Sequence, residues 1–235
     1  MKKWLKCDFH IHTNEDPEDN VKHLTIKYSP KELIDIMASM NFDVISISHH
    51  DDRRHNDELL NYAKSRGILL VSAIEKTIEK KHVLIINAPD NLENIKKLSD
   101  LKTIPKNILI VAAHPFYWLF RSLKKNLLKY KDSFDAVEYT SMYFFFFNRF
   151  NKKAEVFCKK YGKPMIGNSD GHYLFQLGQT YSLIYAEPNF DSIREAIKNG
   201  NIEIKTSPIP FLFPISSVIF EKTRMLIKRA LKMFF

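Results

Sequence analysis

Short apolar runs alternate along this chain with stretches whose apolar residues recur three and four places apart. The runs predict strands near 4–12, 43–48, 68–74, 82–87, 107–112, 134–139 and 164–168, and two more near 180–186 and 201–206. Helical spacing or composition predicts helices over 30–40, 56–66, 91–101, 119–130, 148–161 and 189–199. The punctuation agrees. Ser29 before Pro30, with Glu32 soon after, is helix-start chemistry, and so is Asn189 followed by Asp191. Gly67 and Gly162 stand where helices should stop. Apolar strands alternating with helices imply a parallel sheet covered by helices, and about seven such units favour an α/β barrel over an open sheet. The pattern breaks once, at "TSPIPFLFPISS", where Pro208, Pro210 and Pro214 separate a body of residues 1–207 from a segment of residues 208–235.

Composition narrows the class. A chain of 235 residues with 45% hydrophobic and 27% charged residues can bury a core without staples. Cys7 and Cys158 lie far apart and make no CxxC, so reduced thiols in a cytoplasmic protein are expected. The start, "MKKWLKCDFH", has no apolar h-region and does not read as a signal peptide, and no apolar run is long enough for a membrane span. The net charge is +9, but Glu221–Phe235 alone holds five basic residues against one acid. The body keeps a mild excess of +5, which does not by itself imply nucleic acid.

Polar side chains gather at the strand ends. In "CDFHIHT" alternation puts Asp8, His10 and His12 on one face, and Cys7, Phe9 and Ile11 on the other. Imidazoles two apart on a strand can converge on one metal ion, with a carboxylate orienting them from behind. "SAIEK" ends a strand with Glu75, "VAAHPF" ends one with His114, and "IGNSDGH" ends one with Asp170 and His172. "KHVLIIN" instead starts a strand with His82. Ligand-type side chains on this many strand ends point to a metal site, because active sites of parallel barrels are built at the C-terminal ends of strands. In "SISHHDD" the parity of Val44, Ser46, Ser48 and His50 turns His50 inward, while His49 shares the outward parity of Ile45 and Ile47. His23 and His55 read as surface residues.

The ordered set "DFHIHT", "SISHHDD", "IEK…HVL", "AAHPF" and "GNSDGH" resembles the PHP (polymerase and histidinol phosphatase) superfamily of metal-dependent phosphoesterases, from about Asp8 to about Pro208. The resemblance implies a distorted seven-stranded β/α barrel, TIM-like, with two or three divalent ions at the strand C-termini. It implies His10, His12 and Asp170 at the first ion, with Glu75 bridging to a second held by His82 and His114. His50 and His172 would serve a third. A further ligand is expected in "NEDPEDNVKH", where Asp16, Glu18, Asp19 and His23 compete and spacing favours Asp16. The family usually has Asp where this chain has His49. Glu75, Asp170 and His172 are the candidate catalytic groups. Nitrogen and oxygen ligands without thiolate suit manganese, zinc or iron.

The implied reaction is phosphoester hydrolysis by a hydroxide that the ions supply at neutral pH. The substrate would be a phosphorylated small molecule or a nucleotide, with a short oligonucleotide left open. Lys76, Arg53, Arg54 and Arg149 are candidates for holding substrate phosphate, or are solvated charges. Two other classes stay in view: an amidohydrolase-type metal hydrolase, which usually relies on a bridging lysine, and a non-catalytic PHP module that binds a partner. Four consecutive phenylalanines in "MYFFFFNRF" cannot face one way, so rim packing or an apolar substrate wall is expected. From Glu221 onward a basic amphipathic helix is expected, either packed on the body or lying on anionic lipid at the inner membrane face.

Overall fold

The structure is a computed structural model that describes residues 1–21 and 26–209. His23 and the expected C-terminal helix lie outside the described residues. The first part of the chain builds β1 (Lys3–Asp8), α1 (Pro17–Val21), α2 (Pro30–Ser39), β2 (Val44–Ile45), α3 (Asp57–Ser65) and β3 (Leu69–Leu70). Then come β4 (Ala73–Ile78), β5 (Lys81–Ile86), β6 (Leu109–Ala112), α4 (Lys125–Lys129), β7 (Ala136–Thr140), α5 (Arg149–Tyr161) and β8 (Met165–Asn168). The described part ends with β9 (Thr180–Ala186), α6 (Phe190–Lys198) and β10 (Ile202–Thr206).

Local chemistry explains most boundaries. Ser29 and Glu32 form a capping box on α2, with Pro30 in its first turn. Asn56 and Asn189 cap α3 and α6 by accepting from Leu59 N and Ser192 N, each at 2.9 Å. Gly162 ends α5 in the left-handed conformation, φ 63°. Two expected helices shrink. Over 91–101 only a 3-10 turn, Leu98–Thr103, forms, and the Asp100 carboxylate caps it by accepting from Lys96 N and Lys97 N. Over 119–130 only α4 is helical. Lys124, at φ 50°, breaks the segment before it, and Arg121 O is tied to His82 N at the start of β5.

The strands make two five-stranded sheets, β10-β9-β1-β2-β3 and β4-β5-β6-β7-β8, and no closed seven-stranded barrel is found among the described residues. The all-parallel expectation also fails. β1-β2-β3 and β6-β7-β8 are parallel, whereas β4-β5-β6 and β1-β9-β10 are antiparallel. In the second sheet the cause is the two-residue turn Glu79–Lys80, both with positive φ (48° and 64°), which folds β4 onto β5 as a hairpin. Glu-Lys carries none of the Asn-Gly signal that marks such turns.

The sheets face each other across a shared core that includes Leu5, Cys7, Phe9, Leu84, Val111 and Ile166. α5 covers the second sheet, and α2 and α3 cover the first. Where ladders stop, single bridges join the sheets: Ile11 with Gly171, and His50 with Glu75. His12 N donates to Gly171 O (3.0 Å) and Glu75 N to His49 O (3.2 Å). Gly171 permits the first seam, since a Cβ there would stand 2.7 Å from Leu177 Cδ2 and 2.9 Å from Ser169 Oγ. Among the described residues no helix is long and apolar enough to cross a membrane.

Candidate metal centre

The seams between the sheets carry the histidines. β1 delivers His10 and His12, the end of β2 delivers His50, β4 delivers Glu75, and β8 runs into Asp170 and His172. His82 joins them although it begins its strand, because the β4–β5 hairpin pairs it with Thr77 and so returns it to Glu75. β6 runs antiparallel to β5, so His114, just past its end, arrives at the same place. Asp170 and His114 hold positive φ (49° and 27°), backbone conformations that cost energy and persist only where the surroundings impose them.

Each of four imidazoles has one nitrogen turned outward by an oxygen. His10 Nδ1 donates to Glu138 Oε1 (2.8 Å), and His12 Nδ1 donates to Asp16 Oδ2 (2.7 Å). His50 Nδ1 donates to the same Asp16 oxygen (3.0 Å), and His172 Nδ1 to the Asp170 carbonyl (3.0 Å). Their Nε2 atoms therefore face inward, toward the carboxylates of Glu75, Asp170 and Asp19. His10 Nε2 lies 3.3 Å from Glu75 Oε2 and 3.5 Å from Asp170 Oδ1. His12 Nε2 lies 3.6 and 3.5 Å from the same two atoms. The other Glu75 oxygen, Oε1, stands 2.6 Å from His82 Nδ1 and 2.9 Å from His114 Nε2. Glu75 thus divides its two oxygens between two sets of histidines.

Ligand-type atoms converge in several groups: His10, His12 and Glu75; Glu75, His82 and His114; and His12, Asp19, His50 and His172. Buried polar atoms are normally paired. Here His10 Nε2 and His12 Nε2 are buried without a hydrogen-bond partner. A divalent cation fits that donor set, since it would satisfy both of these atoms, and the absence of thiolate matches a borderline or hard ion.

Electrostatics follow from crowding charge in a dry site. Burial opposes protonation of His10, but Glu138, Asp170 and Glu75 together hold its pKa well above the usual imidazole range. Burial also opposes His50, yet Glu75 and Asp16 carry it up to about 11, and Asp19 and Asp170 carry His172 to about 9. His12 shifts down, by burial and then by the charges of His172 and His50. Burial works to raise Glu75, but the surrounding histidines hold it well below the carboxylate range. Asp8 is pushed up to about 7 by burial, and it accepts from His10 N and Ser169 N across the seam.

The acidic loop after HxH resolves into two roles. Asp16 stands behind the histidines, where its oxygens take hydrogen bonds from His12, His50 and the first turn of α1 at Glu18 N and Asp19 N. Asp19, carried inward by α1, presents Oδ2 3.1 Å from His172 Nε2. Glu138 was missed by sequence reasoning. It is fully buried, and besides His10 it accepts from His114 N (2.7 Å) and Asn168 Nδ2 (2.9 Å). The available signal was one acidic residue inside the apolar run "DAVEYT". His49 is buried, as are Ile45 and Ile47; its Nε2 accepts from Thr13 N (3.2 Å) and Thr13 Oγ1 (2.8 Å), which fixes the loop after HxH. His55 is half-buried.

Of the cations singled out for phosphate, Lys76 pairs with Asp51 (3.1 Å), Arg53 with Asp90, and Arg54 with Asp52 (2.8 Å). Arg149 lies over the rings of Phe147 and Phe150. Arg121, which the sequence did not mark, sets NH1 2.8 Å from His82 Nε2 and pairs with Glu18.

A buried histidine–carboxylate cluster at the joined ends of two sheets defines a candidate divalent-metal centre on a mixed α/β scaffold. Residues 148–202 match the sequence model of the PHP-associated family. The fold is similar to that of a two-domain protein from Bacteroides vulgatus containing a predicted PHP-like metal-dependent phosphoesterase (19% identity, TM-score 0.62). That similarity covers 87% of this chain, which spans 65% of the other's length. PsfC from Pseudomonas syringae is similar at 11% identity and TM-score 0.60, over 94% of this chain and 99% of that one. The lesion-specific endonuclease PfuEndoQ from Pyrococcus furiosus is similar at 18% identity and TM-score 0.52, over 86% of this chain and 58% of that one. No curated protein matches the chain. The family match is confined to residues 148–202, and over most of its length the chain shares its fold with these proteins.

Proposed function

We propose that this protein is a metal-dependent phosphoesterase. The observation that carries the reading is the pair of inward Nε2 atoms of His10 and His12, without a hydrogen-bond partner and 3.3–3.6 Å from Glu75 Oε2 and Asp170 Oδ1. One ion would be held by His10, His12, Glu75 and Asp170, and a second by Glu75, His82 and His114. A third would be held by Asp19, His50 and His172. Such ions supply a lowered water pKa and positive charge against the phosphate oxygens when bound. The chain's own residues do the rest. Glu138 and Asp16 fix the tautomers and ring planes of three histidines. Glu75 holds two sets of histidines at one spacing. Arg121, at the rim beside His82, is the guanidinium proposed to grip a substrate phosphate oxygen. A glutamate, not a lysine, stands at the bridging position, which favours this reading over the amidohydrolase type.

Reconstitution of the chelated protein with manganese, zinc or iron, followed by elemental analysis and hydrolysis of p-nitrophenyl phosphate mono- and diesters, tests the proposal. At least two ions per chain and metal-dependent release of nitrophenol are expected. Less than one ion per chain would remove its basis. Full loading without turnover of any phosphoester, including nucleotides and short oligonucleotides, would favour the non-catalytic module.

A further inference from the structure

Away from the metal centre, a groove of about 990 Å³ runs between α5 and the segment 116–128. Its rim is basic: Lys124, Lys125, Arg149, Lys152, Lys153 and Lys160, with no carboxylate among the lining residues. Glu155 of α5 belongs to the opposite side of the helix, near Gly162 and Lys198. Large apolar side chains stand out from the groove at Trp118, Leu128 and Val156, and from the chain segments that lead into it at Phe120 and Phe145. Phe145 is 91% exposed, Trp118 68%, Val156 67%, Phe120 65% and Leu128 52%. Phe145 occupies the tip of a tight turn closed by two hydrogen bonds between Phe144 and Phe147. The loop bearing Trp118 and Phe120 is tied at both carbonyls, to Lys124 Nζ (3.2 Å) and to Lys81 Nζ. These tips are held out by structure; in the phenylalanine run Phe144 is half-buried and Phe145, Phe146 and Phe147 are exposed, so rim packing accounts for only part of it.

Protruding aromatic tips ringed by lysines are what an interfacial surface needs. The rings enter the headgroup–acyl boundary and the cations meet acidic headgroups. We propose that this face docks on the surface of an anionic lipid bilayer, with Trp118, Phe120 and Phe145 entering the interface. Other occupants fit less well. A second copy would set one basic rim against another. This chain's own segment from Glu221 onward carries five basic residues against one acid and would be repelled. A single-stranded nucleic acid needs free ring faces along the basic track. Of the rings inside the groove all but Trp118 instead pack on one another, among them Tyr117 against Phe150 at 5.1 Å and Phe116 against Phe157 at 6.0 Å, which leaves no continuous track of ring faces.

The chain has two tryptophans, so Trp4→Phe in the full-length protein leaves Trp118 as the reporter. Vesicles of phosphatidylcholine with phosphatidylserine should shift Trp118 emission to the blue and carry the protein down on sedimentation, whereas phosphatidylcholine alone should do neither. Removing Lys152 and Lys153 together (Lys152→Ala, Lys153→Ala) should weaken partitioning about 25-fold, at roughly fivefold per charge. Phe145→Ser should weaken it without changing the melting temperature or metal content. Sedimentation with unmoved Trp118 emission, or unchanged in these variants, would overturn the proposal in favour of another part of the chain. A blue shift with a single-stranded oligonucleotide but not with vesicles would overturn it in favour of nucleic acid.

Discussion

At the strand ends, imidazoles and carboxylates are almost wholly buried, and the outer nitrogen of most of the imidazoles is held by a partner. On the α5 face the reverse holds: phenyl and indole rings stand in solvent among lysines that meet no carboxylate in the groove. Both regions run against the usual sorting of polar outside and apolar inside. The difference is in what would relieve each. Buried ring nitrogens and carboxylates that converge on a common point fit a cation, while the exposed rings with a basic rim fit the apolar, anionic surface proposed above. Changes in the first region should therefore reach metal, stability and turnover, and changes in the second should reach none of these.

The largest effect is expected from Glu75→Ala. It removes the carboxylate shared by two histidine sets and leaves buried imidazoles without their counter-charge. Metal content should fall below that of every other variant, and phosphoesterase activity should drop by more than the roughly 100-fold reached by losing an orienting partner. Elemental analysis beside a rate assay reads both.

Glu138→Gln comes next. The His10 Nδ1–H keeps an acceptor, but the charge behind it is gone, so metal affinity should weaken by about 10–100-fold while the chain stays folded. Competition with a fluorescent chelator measures this. No change would mean that His10 does not depend on Glu138.

His49 and His50 then separate two kinds of loss. His50→Ala should cost metal and turnover. His49→Ala should leave metal content intact but strand Thr13 N–H and O–H in the interior, lowering stability by about 1–3 kcal/mol in a denaturant melt. Equal metal loss in both would make His49 part of the centre.

Metal uptake should also depend on pH with a definite sign. In the metal-free protein Glu75 and Asp16 hold the His50 pKa up at about 11, and Asp19 and Asp170 hold His172 at about 9. At neutral pH these rings carry protons that an ion must displace. Apparent affinity should rise as pH climbs from 7 toward 9, with protons released on binding. Calorimetry in buffers of different ionisation enthalpy would detect them, and affinity falling over that range would contradict the proton occupancy.

The smallest effect belongs to the exposed face. Trp118→Ser and Phe145→Ser should change stability by no more than about 0.5 kcal/mol and leave metal content alone. A large loss of either would show that these rings support the metal centre.

The sequence by itself determined the local facts. Runs of apolar residues located nine of the ten strands to within a few positions, the run near 68–74 merging β3 with the start of β4, and capping residues set the ends of α2 and α6. The turn of His50 inward was legible because Ser46, Ser48 and His50 share one parity while Ile45 and Ile47 join the helix-side core. Periodicity reports which face a residue occupies on its own element, and cannot report which other element lies opposite. Parity even failed locally after β1, where Phe9 enters the core between the sheets and Ile11 enters the helix-side core. Only the tertiary structure decided that the strands divide into two sheets, because a Glu79–Lys80 turn with weak sequence signal reverses β5. It alone set Asp19 beside His172 and Asp16 behind His12. It also put Glu138 under His10, 128 residues away in the chain. Those pairings are choices among carboxylates of equal chemistry, and they are settled by the packing of distant segments, which no local pattern encodes.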